Sequence, residues 1–292
     1  MNIIIKSFTL SFGVAGRMIL PVLAVFVASS VIFGLMNGIS GGLVSYISGP
    51  ITATCITLLG IRAALSLIGD HDQIGYEVLS LYSVIYGIFM LVATGAAVAF
   101  SDLTALVYAD WQLGQGFALD SLLNAEKSLQ FAFAYHALSA KAVVGLVVYT
   151  AVYAVMAVPL ASAARATGRG AMSAGFFNGF GRSFIPLFII FAISFFLQFF
   201  FNFLTALYAV FPLLLSVVSL VLTQSLPDFE LNIILRGLAA SAGLLWLHSW
   251  IWAASAVALL KNEQTIKHKP DAAPASDVAP APNMRALRKA RE

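Results

Sequence analysis

The chain has 292 residues, 60% of them hydrophobic and only 10% charged, with a mean hydropathy of +0.93 and a net charge of +3. Soluble domains carry roughly 25% charged residues, so this composition excludes a water-soluble globule. The single cysteine, Cys55, excludes an intrachain disulfide and reads as a small apolar packing residue.

Residues 1–17 read as a cytoplasmic interfacial helix. The segment "SFTLSFGVA" carries aromatic residues too sparse to span a bilayer, and Arg17 suits the phosphate level. The motif "GRMILP" (Gly16 to Pro21) then opens span one, Met18 to Met36, with proline in the first turn, where its missing amide costs little. Those 19 uncharged residues exceed a signal-peptide core of about 7 to 15 residues, and no small-x-small cleavage site follows, so a retained helix is expected.

Span two is Leu43 to Leu67, with Arg62 near its cytoplasmic end and able to snorkel to phosphates or meet an acidic partner. The turn "GDHDQIGYE" gathers Asp70, His71, Asp72 and Glu77. These residue types could hold a divalent metal, but they equally form an ordinary helix N-cap, and the cap reading is preferred. No metal site is expected.

Span three is Val78 to Phe100. The outer segment 101–140 follows, where Asp120 stands as an N-cap and Leu119, Leu122, Leu123 and Leu129 recur at helical spacing. An amphipathic helix on the outer face is expected, covered by lipid or by a partner. Span four, Ala142 to Ala164, leads to Arg165 and Arg169.

A second copy of the opening pattern then appears: the Phe- and Gly-rich "SAGFFNGF" precedes "GRSFIP", Gly181 to Pro186, with Arg182 as anchor. A second interfacial helix is expected here, ahead of span five at Phe184 to Phe203. The two copies share one orientation and so form a parallel repeat, although short matches also arise by convergence. The GxxxG pairs Gly34/Gly38 and Gly175/Gly179 suit tight helix contacts or merely reflect common small residues.

The apolar run from Ser183 continues to Thr223, too long for one ordinary span. A break is expected between Asn202 and Pro212, making 204–236 an outer interfacial or re-entrant segment. Span six is Gly237 to Leu260. Polar residues at membrane depth are Gln198, Asn202 and His248, which could line a polar route or serve as interhelical glue. His248 lacks a second histidine at that depth, so no haem or other cofactor is expected.

From 261 to 292 the chain becomes a flexible basic tail: four prolines in "KPDAAPASDVAPAP", then Arg285, Arg288, Lys289 and Arg291. That cluster suits anionic headgroups or an acidic partner, and its four charges are too few for nucleic acid.

The expected fold is an all-α integral membrane protein: about six transmembrane helices as three hairpins in one domain, 18–260, with interfacial amphipathic helices before spans one and five. With the N-terminus inside, the cytoplasmic segments hold thirteen Lys and Arg residues, including Arg17, Arg62, Arg165, Arg169 and Arg182. The outer segments hold three: Lys127, Lys141 and Arg236. This bias puts both termini in the cytoplasm, and the inner membrane of a bacterium is the expected location.

Neither a nucleophile elbow nor a P-loop, a metalloprotease helix, a CxxC pair or a spaced carboxylate pair inside the membrane is present, so no enzyme is expected. The favoured function is a non-catalytic subunit that scaffolds, assembles or stabilises a larger membrane complex, with membrane lipids and other membrane subunits as partners. The alternative is a transporter or lipid-handling permease using Gln198, Asn202 and His248.

The charge bias is testable with single cysteines in a Cys55→Ala background. A cysteine at Ser128 should react with a membrane-impermeant maleimide in intact cells. One at Ser276 should react only after permeabilisation, and the reverse pattern would overturn the orientation.

Overall fold

A computed structural model describes residues 3–40, 43–70, 75–114, 125–165, 179–224 and 231–267. Among these the secondary structure is entirely helical, and six helices are long and apolar enough to cross a membrane. The protein is therefore membrane-embedded. The helices are α1 (Ile3–Ser40), α2 (Leu43–Leu67), α3 (Tyr76–Leu113), α4 (Lys127–Arg165), α5 (Phe184–Thr205), α6 (Phe211–Thr223) and α7 (Leu231–Lys267). Helices α5 and α6 are joined through a π-turn, Ala206–Val210, into one rod that counts as a single span.

Only α2 has the length expected of a bare span. Helix α1 runs unbroken for 38 residues, so Ile3–Gly16 is not a separate interfacial helix with a bend at "GRMILP". Its buried residues, Ile3, Ser7, Ser11, Val14 and Met18, recur every three to four positions, and this stripe packs on α7 and α2. Because that face is already covered by protein, nothing drives these residues to lie flat at the membrane surface.

The outer segment 101–140 also differs from expectation. Helix α3 continues through Leu113 and α4 begins at Lys127, so the two spans extend outward as a pair. Lys141 Nζ meets Asp102 Oδ1 at 2.5 Å across that pair. The pair ties the two helices together beyond the expected ends of spans three and four. Leu129 belongs to α4, whereas Asp120, Leu119, Leu122 and Leu123 lie outside the described residues.

The expected break between Asn202 and Pro212 is a change of pitch instead. The Phe211 amide donates to the Ala206 carbonyl, the wider register of a π-turn, and the helix resumes with Pro212 in its first turn. In a regular helix Pro212 would owe a hydrogen bond to the Tyr208 carbonyl, which its ring nitrogen cannot donate. Helix α7 closes on that carbonyl: a Cβ built on Gly237 would lie 2.7 Å from Tyr208 O. Only glycine lets the two backbones approach this closely.

Contacts run round the bundle from α1 to α2, α3, α4, α5 and α7 and back to α1, while α7 also touches α2 and α4. Helix α7 is thus the centre. Its small residues Ala253, Ala254, Ala256 and Ala258 are fully buried, and Trp252 lies flat against Gly60 of α2, where a Cβ would overlap the indole. Gly34 and Gly38, by contrast, have nothing within 4 Å of a built Cβ, so that pair mediates no contact within the chain; Gly175 lies outside the described residues.

Gly60→Val and Gly237→Val should each destabilise the bundle by about 1–3 kcal/mol through overpacking. Gly16→Ala, with open space around its Cβ, should leave thermal unfolding in detergent at the wild-type midpoint.

Candidate functional site

The polar residues marked at membrane depth separate in the structure. Gln198 is buried on α5 one turn beyond Ser194, and both Gln198 Nε2 and Ser194 Oγ are buried without hydrogen-bond partners. Asn202, four residues on, is exposed. His248 is exposed on α7 and its Nδ1 lies 2.9 Å from the Leu244 carbonyl. As the Nδ1–H tautomer it donates to that carbonyl, which satisfies half its ring locally. Its ring is also 6.0 Å from that of Trp252. Gln198 is thus covered within the chain, whereas Asn202 and His248 are open to its surroundings.

The basic residues form a set of internal ties. Arg165, last residue of α4, pairs through Nε with Asp70 Oδ2 at 2.7 Å and through Nη1 with Glu263 of α7. Beside this cluster Ser183 Oγ donates to Asn262 Oδ1 at 2.9 Å, joining the start of α5 to α7. Arg17 donates to Ser66 Oγ at 3.1 Å, and Arg62 lies 4.4 Å above the Tyr76 ring. Asp70 thus serves an ion pair, while backbone Gly75 stands at the N-cap of α3 and Glu77 in its first turn. Arg182 is exposed in a tight turn and its amide donates to Gly179 O. His71, Asp72, Arg169, the segment 166–178 and the tail from 268, with Arg285, Arg288, Lys289 and Arg291, lie outside the described residues. Among the described residues no three His, Cys, Asp or Glu side chains converge as a metal site.

A second set of polar contacts lies along α1 and α7. Trp250 Nε1 donates to Ser7 Oγ at 3.1 Å, and Trp246 Nε1 to Ser11 Oγ at 3.0 Å. Each serine hydroxyl passes its proton to its own helix, to Ile4 O and Phe8 O. Phe8 and Phe12 pack edge-on and stacked against the same indoles. Indole N–H groups that would be orphaned in hydrocarbon are satisfied in this way.

The best-formed concave site is one that the sequence reading did not single out. A cavity of about 230 Å³ lies between α2, α3 and α4, walled by Gly49, Ala53, Thr54, Thr57, Thr94, Tyr149 and Tyr153 among others. Thr57 donates to Ala53 O at 2.8 Å and Thr94 to Met90 O at 2.6 Å, so both present only lone pairs to the cavity. The Tyr149 and Tyr153 hydroxyls are 3.1 Å apart and share one proton, which leaves the pair one free donor. Among the described residues no charged side chain lines the site. It can bind hydrogen-bonding groups without selecting for charge. The signal in the sequence was hydroxyls three and four apart, Thr54/Thr57 and Tyr149/Tyr153, within spans two and four.

No family model matches the chain, and neither a curated protein nor a solved structure resembles it closely enough to count as a match.

Arg165→Gln leaves Asp70 and Glu263 facing each other without their cation and should cost roughly 1–3 kcal/mol, between the values for exposed and buried pairs. Adding Asp70→Asn and Glu263→Gln should recover much of that loss in thermal unfolding. If the triple variant melts no higher than Arg165→Gln, the cluster is not the cause.

Proposed function

We propose that the protein is a non-catalytic multi-span membrane subunit that scaffolds, assembles or stabilises a larger membrane complex. One observation carries this reading: the span windows differ sharply in burial. The window in α7 is 67% buried inside the chain, whereas that in α1 is 6% buried. From Ile19 to Ile39, α1 exposes Leu20, Leu23, Phe26, Val31 and Leu35 on several sides, and α6 has no buried residue. Helices held at one end and free along the rest suit lateral packing by other membrane helices as well as lipid.

The ion-pair cluster supports the same reading, since Arg165, Asp70 and Glu263 are engaged with one another rather than poised around a substrate. In this proposal both termini are cytoplasmic in a bacterial inner membrane, as the charge bias suggests. In the same proposal Arg182 and the basic cluster Arg285, Arg288, Lys289 and Arg291 serve as anchors for anionic lipid or an acidic partner face. The permease alternative has less support, because only Gln198 of its three residues is buried.

Extraction from the native membrane in gentle detergent, with native mass determination, tests the proposal. A stoichiometric heteromeric assembly, cross-linked through a photoreactive residue at Phe26 or Val31, is the expected result. A lone 31.1 kDa chain or a homo-oligomer, even after cross-linking before detergent, would sink it.

A further inference from the structure

The hydroxyl-lined cavity between α2, α3 and α4 is assigned no role by the subunit reading, and its chemistry narrows what it can hold. We propose that it binds an uncharged, hydroxyl-bearing group of glycerol size, presented either by a neutral lipid such as diacylglycerol or by a free polyol.

Four observations converge on that chemistry. The first is charge. Among the described residues none that lines the cavity carries a charge at neutral pH, and the charged residues nearest along the same helices are engaged elsewhere, Arg62 over the Tyr76 ring and Arg165 with Asp70 and Glu263. Transfer of an ion into such a site would be opposed by desolvation with no counter-charge to offset it.

The second is the balance of donors and acceptors. Thr57 and Thr94 have given their protons to their own helices, so two of the three walls offer acceptors. The third wall offers the Tyr149 and Tyr153 pair, with one free proton and spare lone pairs. An occupant that both donates and accepts hydrogen bonds matches these walls best, since Thr57 and Thr94 offer lone pairs while Thr54 and the tyrosine pair retain hydroxyl protons. An alcohol with two or more hydroxyls does both. An ester or ketone, which only accepts, uses fewer of these groups.

The third is size. About 230 Å³ is the bulk volume of roughly eight waters, below the range of sites for drug-sized ligands. It admits a glycerol unit and excludes a bulky polar head. The fourth is access. Gly49 and Ala53, which form the α2 wall, are exposed on the flank of a membrane-spanning helix, so the cavity opens sideways as well as inward. Acyl chains could lie along that flank while the glycerol hydroxyl turns in. Hydroxyls on such a flank would otherwise face hydrocarbon with nothing to accept from.

The test uses the full chain reconstituted in phosphatidylcholine vesicles containing a photoactivatable diacylglycerol, with the label mapped to peptides. Label concentrated on α2 and α4 peptides, displaced by excess dioctanoylglycerol but not by excess phosphatidylcholine, is expected for the lipid source. Protection of the same peptides by free glycerol, with no effect of dioctanoylglycerol, would identify the free polyol. Thr57→Val and Tyr153→Phe, which keep the shape, should each lower the site-specific label about threefold to tenfold, the weight of one neutral hydrogen bond. Label spread evenly over the exposed helices and protected by neither compound would overturn the proposal. That readout comes from the wild-type protein and needs no variant to fold. It is also independent of whether the chain has partner subunits.

Discussion

The burial of α7 is the constraint on which the rest of the fold depends. In a bilayer, lipid tails are as apolar as leucine, so helices gain little from the hydrophobic effect and must meet through close packing and hydrogen bonds. Helix α7 supplies both. Its alanine run lets neighbours approach, and Trp252 fills the gap left by Gly60. Its other indoles, Trp246 and Trp250, are satisfied by serines of α1. The remaining helices are arranged by what they touch on this one.

Polarity is distributed to match the cost of burying it. Full charges are paired: Asp70, Arg165 and Glu263 meet at one junction of helix ends, and Asp102 and Lys141 meet between α3 and α4. Hydroxyls within the helices mostly bond their own backbone. A threonine that donates to its helix is cheap to place in hydrocarbon, yet it retains an acceptor. Three walls of such groups make a polar cavity without a single buried charge. Arg17, Arg62 and Arg165 act as ties because each lies close enough to a neighbouring element for a hydroxyl, a ring or a carboxylate to reach it.

The packing is uneven along the helices. The N-terminal half of α1 is held by α2 and α7, while its second half and α6 carry apolar side chains on faces that the chain does not cover. A π-turn separates the two stretches of that rod, α5 with its buried residues and α6 with none.

The sequence by itself determined the class, the number of spans and the limits of α2, because a 3.6-residue period and a run of uncharged residues are local properties. It also showed Arg165 and Arg62 as helix-end cations. It misjudged where helices stop. The continuation of α1 through Arg17, and of α3 and α4 beyond the expected span ends, goes with partners far along the chain: Ser66, Trp246, and Asp102 with Lys141. The proline at 212 looked like a break, yet a π-turn and the approach of Gly237 absorbed it. Gln198 and Asn202 shared a helix face on paper, but only packing against neighbours decides which of two residues one turn apart is covered. The cavity was invisible for the same reason. Thr57, Thr94 and Tyr153 lie on three helices, and hydroxyls become a site only when tertiary structure brings separate strands of sequence to one point.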